Sequence, residues 1–198
     1  LADSPLLLIV GGPNGSGKTT VAKQLSESRG IPYLGADAIA EQLNPSNPAN
    51  AAITASRTFS RTIRQLIAKR QSFICESTLS GLTLKNFLGT ARTSGYKTEI
   101  VYLFVESEDM CLTRIAERVR KGGHDVPEVD VRRRFSRSLH NFWNVYRHLA
   151  DSWVVCYNGF GLLHEVAVGT HAEPSIRDPK LYSRFQSLIG EFSCPAPD

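Results

Sequence analysis

Apolar positions in this chain fall into short unbroken runs, separated by longer stretches in which they recur every three or four residues. "PLLLIV" (5–10), "SFICE" (72–76), "EIVYLFV" (99–105) and "SWVVCYN" (152–158) have strand length and strand composition, and "IPYLGA" (31–36) is a fifth candidate. Between them lie segments of helical period at 18–30, 52–70, 83–95, 108–121 and 127–150. In 52–70, Phe59, Ile63, Leu66 and Ile67 recur at helical spacing; in 127–150, Phe135, Leu139, Phe142, Tyr146 and Leu149 form one stripe. Gly30 and Gly95 are placed to end two of these helices and Pro127 to open another. "NPSNPAN" (44–50) predicts a loop. Apolar strands alternating with helices predict an α/β fold, a parallel sheet flanked by helices on both faces. Residues 1–198 read as a single domain. Its tail, from about 172 to 198, is less regular, with a terminal helix predicted at "LYSRFQSLIGEF".

The first strand runs straight into "GGPNGSGKTT" (11–20), in which Gly12 to Thr19 fit G-x-x-x-x-G-K-[ST]. Glycines let successive backbone N–H groups turn inward around a phosphate without Cβ collisions. The helix that follows points its positive end at the same anion. A strand before and a helix after is the context this motif needs. Gly12, Pro13, Asn14, Gly15, Ser16, Gly17, Lys18, Thr19 and Thr20 are therefore expected to hold a nucleoside triphosphate. Lys18 would reach its β- and γ-phosphates and Thr19 would offer its hydroxyl to Mg²⁺.

Ligands of open parallel sheets sit beyond the carboxyl ends of the strands. Asp37 and Glu76 lie at two such ends. Asp37 fits two roles: N-cap of a helix at "DAIAEQL", or general base taking a proton from an acceptor hydroxyl. Glu76 fits a structural ion pair, a water-mediated Mg²⁺ contact, or orientation of the acceptor. No apolar run ends in a plain Asp of the usual metal-binding kind, and Glu76 is the substitute. The hydroxyls of "STLSG" (77–81) suit either a sugar or phosphate contact or the cap of the next helix.

Arginine is concentrated in the second half. Arg114 and Arg118 share a helix face, Arg120 and Lys121 follow, and "GGHDVPE" (122–128) breaks the chain before Arg132, Arg133, Arg134 and Arg137. Singly, each of these is an ordinary surface charge. Together, on a chain with a phosphate loop, they predict an arginine-rich helical lid at about 114–141 that closes over ATP and neutralises the moving phosphoryl group. Arg118 and Arg137 are the preferred pair, with His124 at the hinge.

Composition narrows the classes. The 198 residues carry a formal charge of +4, with a pI near 9.0. That excess suits anionic small molecules and is too mild to argue for nucleic acid by itself. Cys75, Cys111, Cys156 and Cys194 form no C-x-x-C pair, which argues against a zinc site or a disulfide framework and fits reduced thiols in a cytoplasmic protein. No run reaches membrane-spanning length, and no signal peptide is read at the start.

The segments "GGPNGSGKTT", "LGADAIA", "CESTLSG", "ERVRKGGHDVPE", "RRRFSRSLHNF" and "YNG", in this order, resemble the zeta-toxin family of P-loop kinases, and especially its small chromosomal branch. The resemblance runs from about Leu6 to Gly169. It implies a parallel sheet with the phosphate-loop strand in the middle. It also implies transfer of phosphate from ATP or GTP, with Mg²⁺, to the 3′-hydroxyl of the aminosugar in UDP-N-acetylglucosamine. In this likeness Lys18 and Thr19 are the phosphate-loop pair, Asp37 is the general base and Glu76 the acidic active-site residue. Thr78 is a substrate-contacting threonine, Arg57 lies near the sugar nucleotide, Arg118 meets the γ-phosphate, and Asn158 lies in the segment that meets the base. His124 stands where larger members carry a second lid arginine, a role open here to Arg120, Arg134 or Arg137. Those members dock a small antitoxin on an N-terminal extension, whereas about five residues precede the first strand here. The expectation therefore leans against an antitoxin partner. Two other readings stay open: a kinase for a different acceptor (a sugar, nucleoside or antibiotic), and a nucleotide-dependent switch or nucleic-acid-associated ATPase. The last predicts arginines spread over an outer surface, not gathered in a cleft.

Overall fold

The computed structural model of the protein describes residues 4–123, 125–159, 161–170 and 173–191. Strand β1 (Leu6–Gly11) leads into α1 (Lys18–Arg29) and β2 (Tyr33–Gly35), followed by α2 (Ala36–Leu43) and α3 (Ala52–Ala68). Next come β3 (Phe73–Ser77), α4 (Thr83–Thr93), β4 (Lys97–Phe104), α5 (Glu108–Arg120) and α6 (Glu128–Asn144). The chain ends with β5 (Ser152–Tyr157), β6 (His164–Gly169), β7 (Ser175–Ile176) and α7 (Pro179–Glu191). A 3-10 turn at Pro48–Ala51 occupies the predicted loop. The terminal helix is present, with Phe185 and Leu188 buried.

The sheet has seven strands in the order β2-β3-β1-β4-β5-β6-β7. The first five are parallel, with β1 between β3 and β4. Strands β6 and β7 are antiparallel additions to one edge, a difference from the fully parallel sheet expected. The period-two rule explains how β1 serves both faces. Leu7 and Ile9 enter the larger core, whereas Leu8 and Val10 enter a smaller one, and all four are at most 1% exposed. On the larger face β1 shares its core with α3, α4, α5, α6 and α7; on the smaller face Val21, Ala22 and Leu25 of α1 cover it.

The two arginine-bearing helices are rooted in that larger core. Cys111 and Ile115 of α5 and Val131, Phe135, Leu139 and Phe142 of α6 are all buried. Residues 116–123, at the far end of α5, are exposed. Phe142 stacks on Tyr102 with ring centroids 4.1 Å apart and planes 9° from parallel, and meets Trp153 edge-on. These ring contacts anchor α6 against β4 and β5. Phe142→Ala should lower unfolding free energy by about 3–5 kcal/mol, read as a fall in the urea midpoint.

Candidate active site

The loop between β1 and α1 closes on itself because its glycines adopt conformations other residues resist. Gly12, Gly15 and Gly17 have φ of 142°, 78° and 92°. A Cβ on Gly12 would lie 2.2 Å from the Leu103 carbonyl oxygen, and one on Gly17 would lie 2.4 Å from Asn158 Nδ2. The loop is thus wedged between β4 and the end of β5. Asn158 Nδ2 donates to the Ser16 carbonyl at 2.9 Å, bracing the cradle from outside. Arg114 braces it too, donating to the carbonyls of Gly15 at 3.4 Å and Gly159 at 2.7 Å.

Inside the cradle, Lys18 is buried and its Nζ donates to the Pro13 carbonyl at 2.8 Å. Burial pulls its pKa below the ordinary lysine value, and the Glu76 and Asp37 carboxylates pull it back up. A polyanion in the cleft would act in the same sense as those carboxylates. The Asn14 side-chain oxygen and the Ser16 hydroxyl are buried without a hydrogen-bond partner among the described residues. Unsatisfied buried polar atoms cost about 1–3 kcal/mol each and concentrate where a ligand completes the bonding.

Above the cradle is a cleft of about 420 Å³. It is lined by Lys18, Thr19 and Thr20 of α1, Asp37 of α2, Ser56, Phe59 and Ser60 of α3, Glu76, Ser77 and Thr78 at the end of β3, and Arg114, Arg118 and Arg134 of α5 and α6. Helix α2 begins after Gly35, which stands in extended backbone at the cap position with no side-chain cap bond. Asp37 is therefore in the first turn, exposed and lining the cleft, and the capping alternative is excluded. Glu76 is bound on both oxygens. Thr19 Oγ1 donates to Oε1 at 2.9 Å, and the Tyr33 hydroxyl donates to Oε2 at 2.6 Å. Beside it, Thr78 Oγ1 and Ser80 Oγ lie 2.8 Å apart. The 77–82 loop is tied to α6 and the turn after it: Asn141 Nδ2 donates to the Leu79 carbonyl at 2.9 Å, and Tyr146 donates to the Gly81 carbonyl at 2.6 Å.

The structure thus brings Lys18, Thr19, Asp37, Glu76, Thr78 and Arg118 around one cleft. Arg134 joins them, and Arg137 is not among the lining residues. Arg57 is exposed and also outside the lining. Gly12 and Pro13 shape the cradle from below, while Asn158 braces it. His124 lies outside the described residues. Arg132 is held by Glu128, Glu108 and Asp109, and Arg133 by Asp130, so these two serve the α5–α6 surface. Sequence reasoning missed Tyr33, Ser56 and Ser60; Tyr33 has no local signal, since only the pairing of β2 with β3 carries it to Glu76.

Among the described residues no group of three or more His, Cys, Asp and Glu side chains could enclose a metal. The donors present suit a Mg²⁺ held largely by phosphate oxygens and water, with one hydroxyl and one nearby carboxylate. Thr19 and Glu76 fit that description. Cys75, Cys111 and Cys156 are free and buried, and burial pushes each thiol up to about 12, far from nucleophile range. No helix among the described residues is long and apolar enough to cross a membrane.

The chain is similar to several known proteins. A protein of Haemophilus influenzae described as uncharacterised is 35% identical over 124 residues, covering 63% of this chain and 88% of that protein. The AvrRxo1-ORF1:ORF2 complex solved with ATP superposes with a TM-score of 0.76 at 18% identity, over 94% of this chain and 65% of that one. The chain therefore spans a little under two thirds of that structure. The PezAT chromosomal toxin–antitoxin system of Streptococcus pneumoniae gives a TM-score of 0.64 at 13% identity, over 97% of this chain and 88% of that one. At these identities the structural likeness shows a shared P-loop kinase-like fold. The family model for an AAA domain, AAA_33, matches residues 7–138. That match spans well over half of the chain, which belongs to the AAA_33 family of AAA domains.

Proposed function

We propose that this protein is an ATP-dependent phosphotransferase that moves the γ-phosphoryl group to a hydroxyl of a small molecule. The observation that carries the reading is the convergence of Lys18, Asp37, Glu76 and Arg118 on a single cleft above a phosphate loop. Backbone N–H groups and Lys18 hold the triphosphate. Asp37 accepts the proton of the acceptor hydroxyl as its oxygen bonds to the γ-phosphorus and the bond to the bridging β–γ oxygen breaks, releasing ADP. Arg118 and Arg134 balance charge on the transferring group. Thr19 and Glu76 would hold Mg²⁺, which would supply positive charge against that developing on the transferring group. Gathering of Arg114, Arg118 and Arg134 at the cleft favours a phosphotransferase over a nucleic-acid-associated ATPase.

The zeta-toxin-like motifs make the 3′-hydroxyl of UDP-N-acetylglucosamine, or of a related UDP-aminosugar, the first acceptor to test. Thr78 in the wall and the Ser56 and Ser60 hydroxyls suit a sugar ring. An antitoxin-like partner is a second proposal, supported by the fold likeness to the PezAT chromosomal toxin–antitoxin system. A cytoplasmic setting, where ATP is available, completes the reading. ADP release measured against UDP-aminosugars, free sugars, nucleosides and aminoglycosides tests the acceptor. Stimulation by UDP-aminosugars is expected. Stimulation by a different hydroxyl compound alone would replace the acceptor and leave the transferase reading standing.

A further inference from the structure

Glu76 owes its place to a residue outside the phosphate loop. Strand β2 pairs parallel with β3, with Tyr33 opposite Ile74 and Gly35 opposite Glu76. Side chains two apart on a strand share a face, so the Tyr33 ring runs forward over Gly35 toward the strand end. Only a residue without a side chain permits that path: a Cβ on Gly35 would lie 2.2 Å from the Tyr33 hydroxyl oxygen. The phenol then donates to Glu76 Oε2 at 2.6 Å, while Oε1 accepts from Thr19 at 2.9 Å. The consequence reaches Thr19. With its proton committed to Glu76, the Thr19 hydroxyl has its oxygen lone pairs available as a metal ligand.

Resting on the phosphotransferase reading, we propose that Tyr33 is a positioning residue, which pins the Glu76 carboxylate so that Glu76 orients the Thr19 oxygen toward the metal of the metal–nucleotide complex. Partners that orient a metal's own ligands characteristically change metal affinity or activity by about 10–100-fold when removed.

The test uses the full chain with a non-hydrolysable ATP analogue and Mn²⁺, whose binding is read by electron paramagnetic resonance. Tyr33→Phe, which removes one hydroxyl, should weaken Mn²⁺ binding to the enzyme–nucleotide complex by about 10-fold or more. Nucleotide affinity without metal should stay unchanged, a split that a general loss of packing would not produce. Glu76→Gln should show a loss of its own, and Tyr33→Phe should add nothing in that background, since both act through one carboxylate. Should Tyr33→Phe fail to fold, Gly35→Ala keeps the tyrosine but displaces its hydroxyl, and should give the same Mn²⁺ defect. Normal Mn²⁺ binding in the folded Tyr33 or Gly35 variant, beside a defective Glu76→Gln, would overturn the role of Tyr33 and leave the phosphotransferase reading intact. Normal Mn²⁺ binding and normal transfer in Glu76→Gln would overturn the metal site itself, and this proposal with it.

Discussion

Asp37→Asn should lower the rate of phosphoryl transfer by about 10²–10⁴-fold, the usual contribution of a positioned general base. The amide keeps the shape and polarity of the carboxylate but has no basic lone pair for the acceptor proton. Because Gly35 holds the cap position and the Asp37 side chain is exposed, the start of α2 should survive the change. Loss of the helix-dipole interaction of a first-turn acid is limited to about 0.3–1 kcal/mol. Single-turnover kinetics and ATP titration separate the effects: transfer should fall while ATP affinity stays near that of the parent. A parallel loss of both would mean that position 37 maintains the shape of the cradle and does no proton chemistry.

Lys18→Ala should lower transfer by about 10²–10³-fold, on the scale of removing one preorganised donor from a transition state. It should weaken ATP binding as well, unlike Asp37→Asn, for two reasons. The ammonium is buried where charge interactions are weakly screened. Its bond to the Pro13 carbonyl also closes the loop on itself. Lys18→Met keeps the aliphatic stem and should restore some loop order without restoring the rate. A Lys18→Ala chain that retained the full transfer rate would move the chemistry away from the glycine cradle.

How much of this was legible in the sequence depended on how local each signal was. The strand–loop–helix unit around Lys18 is continuous in sequence, so motif and context could be read together. The apolar runs located the five parallel strands, since residues such as Leu7, Leu8, Ile9 and Val10 are buried on both faces. Strands β6 and β7 lack that signature. They lie at an edge of the sheet, with half-exposed and polar positions, and their antiparallel pairing is set by β5. The arginines show the limit of helical periodicity. Residues 134, 137 and 141 share a flank, but Arg134 lines the cleft and Arg137 does not. Asn158 falls in a segment expected at the nucleotide base; its Nδ2 donates to the Ser16 carbonyl, a link between the end of β5 and the phosphate loop that the sequence does not signal. Tyr33 was invisible for a related reason. Its partner is 43 positions away, and only the register of β2 against β3 brings them together.

The proposed reaction is transfer of a phosphoryl group from the glycine cradle to a hydroxyl facing Asp37. Its most direct measurement is mass spectrometry of a metabolite extract incubated with Mg²⁺ and ATP carrying heavy oxygen in the γ-phosphoryl group. The intact protein should place the label on one class of hydroxyl compound, and Asp37→Asn should not. Label appearing only in inorganic phosphate, or equally in the product made by Asp37→Asn, would contradict it.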